Sequence, residues 1–150
     1  MSWYVDVILP LPLGGSFTYR LPQEYADTIQ TGSRVVVQFG VRRYYTALVL
    51  HKHTDAPQGN YDIKDVVEVL DTTPIVQPMQ LKLWQWIADY YMCALGDVYK
   101  AALPSGLKLE SETVVTLNDD FIAEAPLRDR EQKILDSLSA NPKQRVQQLL

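Results

Sequence analysis

The residues of this 150-residue chain that could meet a ligand are few, and they suit holding one rather than making or breaking its bonds. Phe17 offers a flat ring for stacking, Lys64 a point charge with three N–H donors, and Arg42 and Arg43 two planar cations. Gly40 offers a backbone with no Cβ, which a ligand can approach closely. Each also has an ordinary structural reading. Phe17 fits core packing, Gly40 fits a turn that needs φ > 0, and Lys64, Arg42 and Arg43 fit surface charge.

Signatures of catalysis are missing. A phosphate-cradling P-loop needs a glycine-rich turn followed by Lys and Ser or Thr, and none is present; nor is a dinucleotide fingerprint, HExxH or GxSxG. Asp119-Asp120 and Asp62/Asp65 are carboxylate pairs in polar turns, with no nucleophile or base beside them, and read as solvated surface. His51 and His53, two apart at a strand end, point to one side. Zinc needs more ligands than these two, and the single cysteine, Cys93, lies far from them in sequence and has no disulfide partner. No metal ligands and no catalytic residues are expected.

Charge restricts the partners further. The formal net charge is -4. Residues 1–110 and 111–150 both carry more carboxylates than cations, so neither presents the clustered charge that bulk phosphate binding by counterion release requires. A nucleic acid would have to be held by a local pocket or stripe. The N-terminus has an acidic Asp6, no basic segment and an apolar run broken by Pro10 and Pro12, unlike a signal peptide. Nothing approaches the ~20 apolar residues that span a bilayer. A cytoplasmic protein with no membrane partner is expected.

The elements that must position these residues follow from pattern. Residues 3–9 are β-branched and aromatic and predict a strand, with Pro10 and Pro12 forcing an extended exit. Residues 16–21 alternate, with Phe17, Tyr19 and Leu21 on a dry side and Ser16, Thr18 and Arg20 on a wet one. Residues 23–30 read as weakly helical or loop. Residues 34–39 and 44–51 predict strands of a hairpin turning through 40–43. A polar loop, 54–62, precedes a strand over 63–71 with Lys64 near its start.

From Pro74 the period changes. Leu81, Trp84, Ile87 or Ala88 and Tyr91 recur at helical spacing, giving an amphipathic helix that Gly96 ends. A short second helix over 97–103 stops at 104–106. Beyond that lie a short strand over 112–117, a turn at Asp119-Asp120 and a helix over 127–138 with Leu127, Ile134 or Leu135, and Leu138 on one stripe. Asn141-Pro142 breaks it, and residues 143–150 are expected to open another helix. The fold class is α+β: a small β-rich mixed sheet or barrel with helices over residues 1–108, then a linker and the truncated start of a helix-turn-helix or winged-helix domain over 109–150.

Four ordered blocks resemble one family. Residues 7–13, VILPLPL, followed by Phe17-Thr18-Tyr19, resemble the opening of the bacterial primosomal replication-restart helicases, the PriA (primosomal protein N′) family. Residues 32–40, GSRVVVQFG, and 64–74, KDVVEVLDTTP, match later stretches in register, as do WIADYY (86–91), LGDV (95–98) and AALP (101–104).

The resemblance implies a 3′-DNA-end-binding domain that captures the 3′ end of the nascent leading strand at stalled forks, without strong base preference. It implies a longer protein, an ATP-dependent 3′→5′ DNA helicase whose motor and zinc module lie elsewhere. ATP, magnesium and zinc would serve that full-length protein and not this fragment. DNA with a 3′ end at a branched fork, other primosome proteins and single-strand-binding proteins are the implied partners. The family's pocket residues fall on Phe17, Thr18, Gly40 and Lys64, with Arg42 and Arg43 touching flanking phosphates. Thr18 departs from the family's usual acidic residue, and a neutral hydroxyl is the weaker acceptor; Gln38 and Ala47 are milder departures. A pocket for one terminal nucleotide needs shape and one cation, which suits an acidic chain. The alternative is a protein-interaction module, with Trp84, Trp86, Tyr90, Tyr91 and the arginine hairpin docking onto the helicase body or other replication proteins.

Overall fold

In a computed structural model of the chain, residues 2–57, 62–108, 114–118 and 126–145 are described. Their contacts divide the chain into two compact units, Met1–Ser111 and Glu112–Leu150.

The first unit is built on valines, whose branched side chains suit a pleated surface. Strands β1 (Trp3–Ile8), β2 (Phe17–Leu21), β3 (Arg34–Phe39), β4 (Arg43–His53) and β5 (Val66–Val69) form one sheet in the order β2-β1-β4-β3-β5, paired antiparallel throughout. A parallel element enters only as a bridge between Arg20 and Asp65. That bridge joins the two outermost strands. The Arg20 N–H donates to the Lys64 carbonyl at 2.9 Å, so the sheet curls until its edges meet. The accompanying Arg20–Asp65 ion pair, 3.4 Å apart and well exposed, contributes little to stability.

Inside the curl, Val5, Val7, Ile29, Val35, Val37, Ala47 and Val49 are completely buried. The two faces of β4 serve two cores. Tyr45, Ala47 and Val49 point into the curl. Leu48 faces the other way and joins Ile8, Val76, Trp84, Ala88, Val98, Tyr99 and Leu103 beneath α1 (Pro78–Tyr91) and α2 (Leu95–Ala102). This double burial accounts for the consecutive apolar residues Ala47, Leu48 and Val49 in β4. The Tyr99 hydroxyl donates to the Thr46 carbonyl at 3.0 Å, and burial pushes its phenol well above the usual range.

Helix α1 begins with Pro78 in its first turn, where a missing N–H costs nothing, and the Gln77 N–H donates to the Gln80 side chain at 2.8 Å. Its end differs from expectation. Met92, in the left-handed conformation at φ 51°, terminates the helix, and Gly96 instead lies inside α2. There a Cβ would stand 2.1 Å from the Leu11 carbonyl oxygen, so glycine is required for close approach to the proline-rich β1–β2 loop. Tyr91, expected on the buried stripe, is 68% exposed, because the chain reverses at Met92 directly after it.

One ion pair clasps this unit. The Asp71 carboxylate accepts from the Arg34 backbone N–H at 2.9 Å and from the Arg34 guanidinium at 2.8 and 2.7 Å. The remaining arm of Arg34 donates to the Leu107 carbonyl at 2.7 Å. Burial raises the Asp71 pKa, but the Arg34 hydrogen bonds and charge outweigh it and hold the carboxyl below its ordinary value.

The second unit contains β6 (Val114–Thr116), α3 (Asp129–Ala140) and β7 (Lys143–Arg145). Here the helix expected after Pro142 is corrected. Residues 143–145 are extended and pair antiparallel with β6, Val114 opposite Arg145. Gln144 fixes this return: its amide donates to the Ser137 carbonyl at 2.6 Å, near the end of α3, and it is 8% exposed. Residues 146–150 and the Asp119-Asp120 turn lie outside the described residues. Of the expected stripe Leu138 on α3 is buried, whereas Ile134, and Leu127 ahead of the helix, are each more than a third exposed.

Candidate functional site

Curling the sheet brings distant segments to one end of the seam. A cleft of about 330 Å³ opens there, lined by Ser16, Phe17, Thr18, Tyr19, Gln38, Phe39, Gly40, Asp62 and Lys64. All four residues singled out as a pocket, Phe17, Thr18, Gly40 and Lys64, are among them. Arg42 and Arg43 are exposed in and after the adjoining turn and are not part of the lining.

Each wall has a local cause. Phe17 is half-buried and meets the Phe39 ring edge to face, centroids 5.0 Å apart, so it packs and lines at once. Gly40 adopts φ +70°, and a Cβ built there meets nothing within 4 Å. Its backbone conformation calls for glycine, and the space beside it is open to a ligand. The Lys64 ammonium donates to the Gly40 carbonyl, from the start of β5 to the end of its neighbour β3. That bond occupies one of three N–H donors and fixes the ammonium beside another lining residue of the cleft. The Gln38 amide donates to the Val41 carbonyl at 2.6 Å and stiffens the turn.

Tyr19 ties the walls together through the interior. Its hydroxyl donates to the Gln38 carbonyl at 3.1 Å, and burial raises its pKa to about 12. It therefore stays a neutral donor at any physiological pH. Thr18 lies directly opposite Asp6 in the β1–β2 register, and its hydroxyl donates to the Asp6 carboxylate at 2.6 Å.

Sequence reasoning had not placed Ser16, Tyr19, Gln38, Phe39 or Asp62 in this cleft. For Gln38 and Phe39 a signal existed: they lead directly into Gly40. Asp62 carried none beyond its nearness to Lys64.

Chemically the cleft offers an aromatic wall, one ammonium, one carboxylate from Asp62 and a hydroxyl backed by Asp6. It has the size of a small-ligand site, for which ~300–1,000 Å³ is usual. One cation among carboxylates suits a single nucleotide unit better than a run of phosphates.

Thr18 also borders a second recess, with Asp6, His51, His53 and Asp55. The His51 and His53 rings stack at 5.8 Å, as the i, i+2 spacing implied, and the His53 Nε2 stands 3.4 Å from Asp6. Among the described residues no group of three or more His, Cys, Asp or Glu is placed to hold a metal ion. No described helix is long and apolar enough to cross a membrane. On α1, Trp84 is buried against Tyr99 and leaves the docking surface proposed for it, whereas Trp86, Tyr90 and Tyr91 are exposed.

Comparison with known proteins adds an independent line. The family model of the PriA 3′DNA-binding domain (3′BD) matches residues 6–104, and a winged helix domain model matches residues 112–150. The chain is 29% identical over 108 residues to a replication restart protein PriA of Treponema pallidum, covering 70% of this chain and 16% of that protein. It is 33% identical over 115 residues to that of Haemophilus influenzae, covering 77% and 15%. To that of Bacillus subtilis it is 30% identical over 96 residues, covering 64% and 12%. The chain thus spans about a sixth or less of the length of these curated relatives.

Proposed function

Since this chain belongs to the family of the PriA 3′DNA-binding domain, we propose that its seam cleft binds DNA by the terminal nucleotide of a 3′ end. The observation that supports this most directly is the convergence of Phe17, Thr18, Gly40 and Lys64 on one nucleotide-sized cleft. Phe17 stacks on or borders the terminal base, a contact typically of ~1–3 kcal/mol. Lys64 donates to the nucleotide. Thr18 and the backbone near Gly40 meet the sugar terminus. Arg42 and Arg43, exposed beside the cleft, meet flanking phosphates. Asp62 and Asp6 make the cleft favour an uncharged hydroxyl end over a terminal phosphate, because like charges at a few ångströms repel. No lining residue offers a base-specific pair of donors and acceptors beyond Gln38, whose amide nitrogen is held by Val41, so little sequence preference is expected.

Within a longer protein, this domain would hold the 3′ end of the nascent leading strand at a stalled fork. The rest of that protein would be an ATP-dependent 3′→5′ DNA helicase acting in replication restart. Its ATP, magnesium and zinc would be bound outside this chain, and primosome and single-strand-binding proteins would be its partners in the cytoplasm.

The test is fluorescence anisotropy with labelled single strands ending in a 3′-OH or a 3′-phosphate. A preference for the hydroxyl that disappears in Lys64→Ala supports end reading. Equal binding of the two strands by the unaltered chain refutes it. A second reading has its own observation: Met79, Leu83, Trp86 and Tyr90, on one side of α1, are each more than half exposed, as a protein-docking face would be. Absence of any DNA binding would favour it.

A further inference from the structure

A hydroxyl has one proton and two lone pairs. In Thr18 the proton is already committed, because the hydroxyl donates to Asp6 at 2.6 Å, a short charge-assisted bond from the directly opposed residue of β1. What Thr18 can still do in the cleft is accept. Asp6 is flanked on both sides. It sits between Thr18 on β2 and His51 on β4 in the strand register, with the His53 ring nitrogen 3.4 Å from the same carboxylate oxygen. Its side chain is 28% exposed, so solvent screens the charge only in part. The remaining charged group of that recess is Asp55.

We infer that Asp6 is a positioning residue of the cleft: it orients the Thr18 hydroxyl as an acceptor and lends it negative charge, so that the pair selects a DNA end that donates a hydrogen bond. The inference rests on the end-binding reading above and deepens it. The carboxylate stands one strand behind the cleft wall and acts through the threonine. A terminal 3′-OH can give its proton to Thr18. A 3′-deoxy end has none to give, and a 3′-phosphate adds charge facing Asp6. His51 and His53 border the recess behind Asp6 and do not line the cleft.

The experiment uses the 150-residue chain and two otherwise identical single strands, one ending in 3′-OH and the other in 3′-H. The readout is the ratio of their affinities. In the unaltered chain the hydroxyl is preferred by about twofold to tenfold, the worth of one net hydrogen bond. Thr18→Val should bring the ratio to one. Asp6→Asn and Asp6→Ala should each at least halve it, while affinity for the 3′-H strand stays within about twofold. Adding Asp6→Asn to Thr18→Val should change nothing further, because Asp6 acts only through Thr18. The exchange Asp6→Asn with Thr18→Asp should restore the preference.

A merely structural strap between β1 and β2 would weaken both strands alike and leave the ratio alone. An unchanged ratio in both Asp6 variants, or an Asp6 effect that persists without the Thr18 hydroxyl, overturns the inference while end reading stands. A ratio of one in the unaltered chain also overturns the inference, whereas end reading itself falls only if 3′-OH and 3′-phosphate strands bind equally.

Discussion

Replacing Asp71 by alanine removes three hydrogen bonds to Arg34 and leaves the guanidinium with only its Leu107 carbonyl. The Arg34 and Asp71 side chains are 15% and 8% exposed, so the surviving cation is largely withheld from water. Breaking a buried pair in this way costs ~3–5 kcal/mol. The residual exposure and the Leu107 bond place this case near ~3 kcal/mol. For a unit of about this size each kcal/mol moves the midpoint by ~4 °C, so Tm should fall by about 12 °C.

The pH dependence has a definite sign. The folded-state pKa of Asp71 is depressed, so its contribution is fully present above the unfolded carboxylate value of ~3.9 and fades as pH falls through the lower folded value. Thermal melts followed by circular dichroism at pH 7 and at successively lower pH should show a wide gap between the unaltered chain and Asp71→Ala that narrows steadily once the pH is below ~3.9. A gap at pH 7 below ~1 kcal/mol, the level of an exposed pair, would refute the reasoning. So would a gap that does not shrink in acid.

The other expectations concern the cleft and its support. Phe17→Ala should cost ~1–3 kcal/mol, from a partly buried ring and its edge-to-face contact with Phe39; Phe17→Leu should recover much of that in a denaturant melt, yet leave DNA affinity low if the ring stacks on a base. Gly40→Ala meets no atom, so urea titration should report only the ~1–2 kcal/mol of a left-handed L residue. Gly96→Ala should cost clearly more in the same titration, because its Cβ falls 2.1 Å from Leu11 O and 2.4 Å from Leu9 O and backbone must move.

Much of the architecture was legible in the sequence because the punctuation was unambiguous. Strand β3 coincides with the predicted 34–39 because β-branched residues run between the turn residues Gly32-Ser33 and Gly40. Helix α1 follows its apolar period from Pro78 onward. The misreadings have physical reasons. Gly96 looks like a helix stop, but its reason to exist is a steric contact with a loop that no local pattern encodes. Residues 143–145 look like a helix start because Lys, Gln and Arg favour helices, yet pairing with β6 and the Gln144–Ser137 bonds override that propensity.

The cleft was the least legible part. Lys64 and Gly40 are 24 residues apart and become neighbours through the β3–β5 pairing, while only closure of the sheet brings Phe17 and Thr18 of β2 beside them. Periodicity assigned Phe17 to a face but could not say that the face ends at an opening. Family resemblance grouped the four residues; Asp6 behind Thr18 could be found only from strand register.

The seam has a consequence for how the chain reaches its working state. The β3–β4 hairpin forms between near neighbours, whereas the Arg20–Asp65 closure joins residues 45 apart and must wait for the strands between them. The cleft takes its walls from both sides of that closure, so no partly assembled chain contains it. On the proposed function, a strand end held there would bind the closed form alone. By mass action it would then stabilise closure by about 2.7 kcal/mol at a hundredfold excess over Kd. Occupancy and folding are on this view one equilibrium, and the Arg20 amide, sealed by the Lys64 carbonyl, is the proton whose exchange with solvent reports on both.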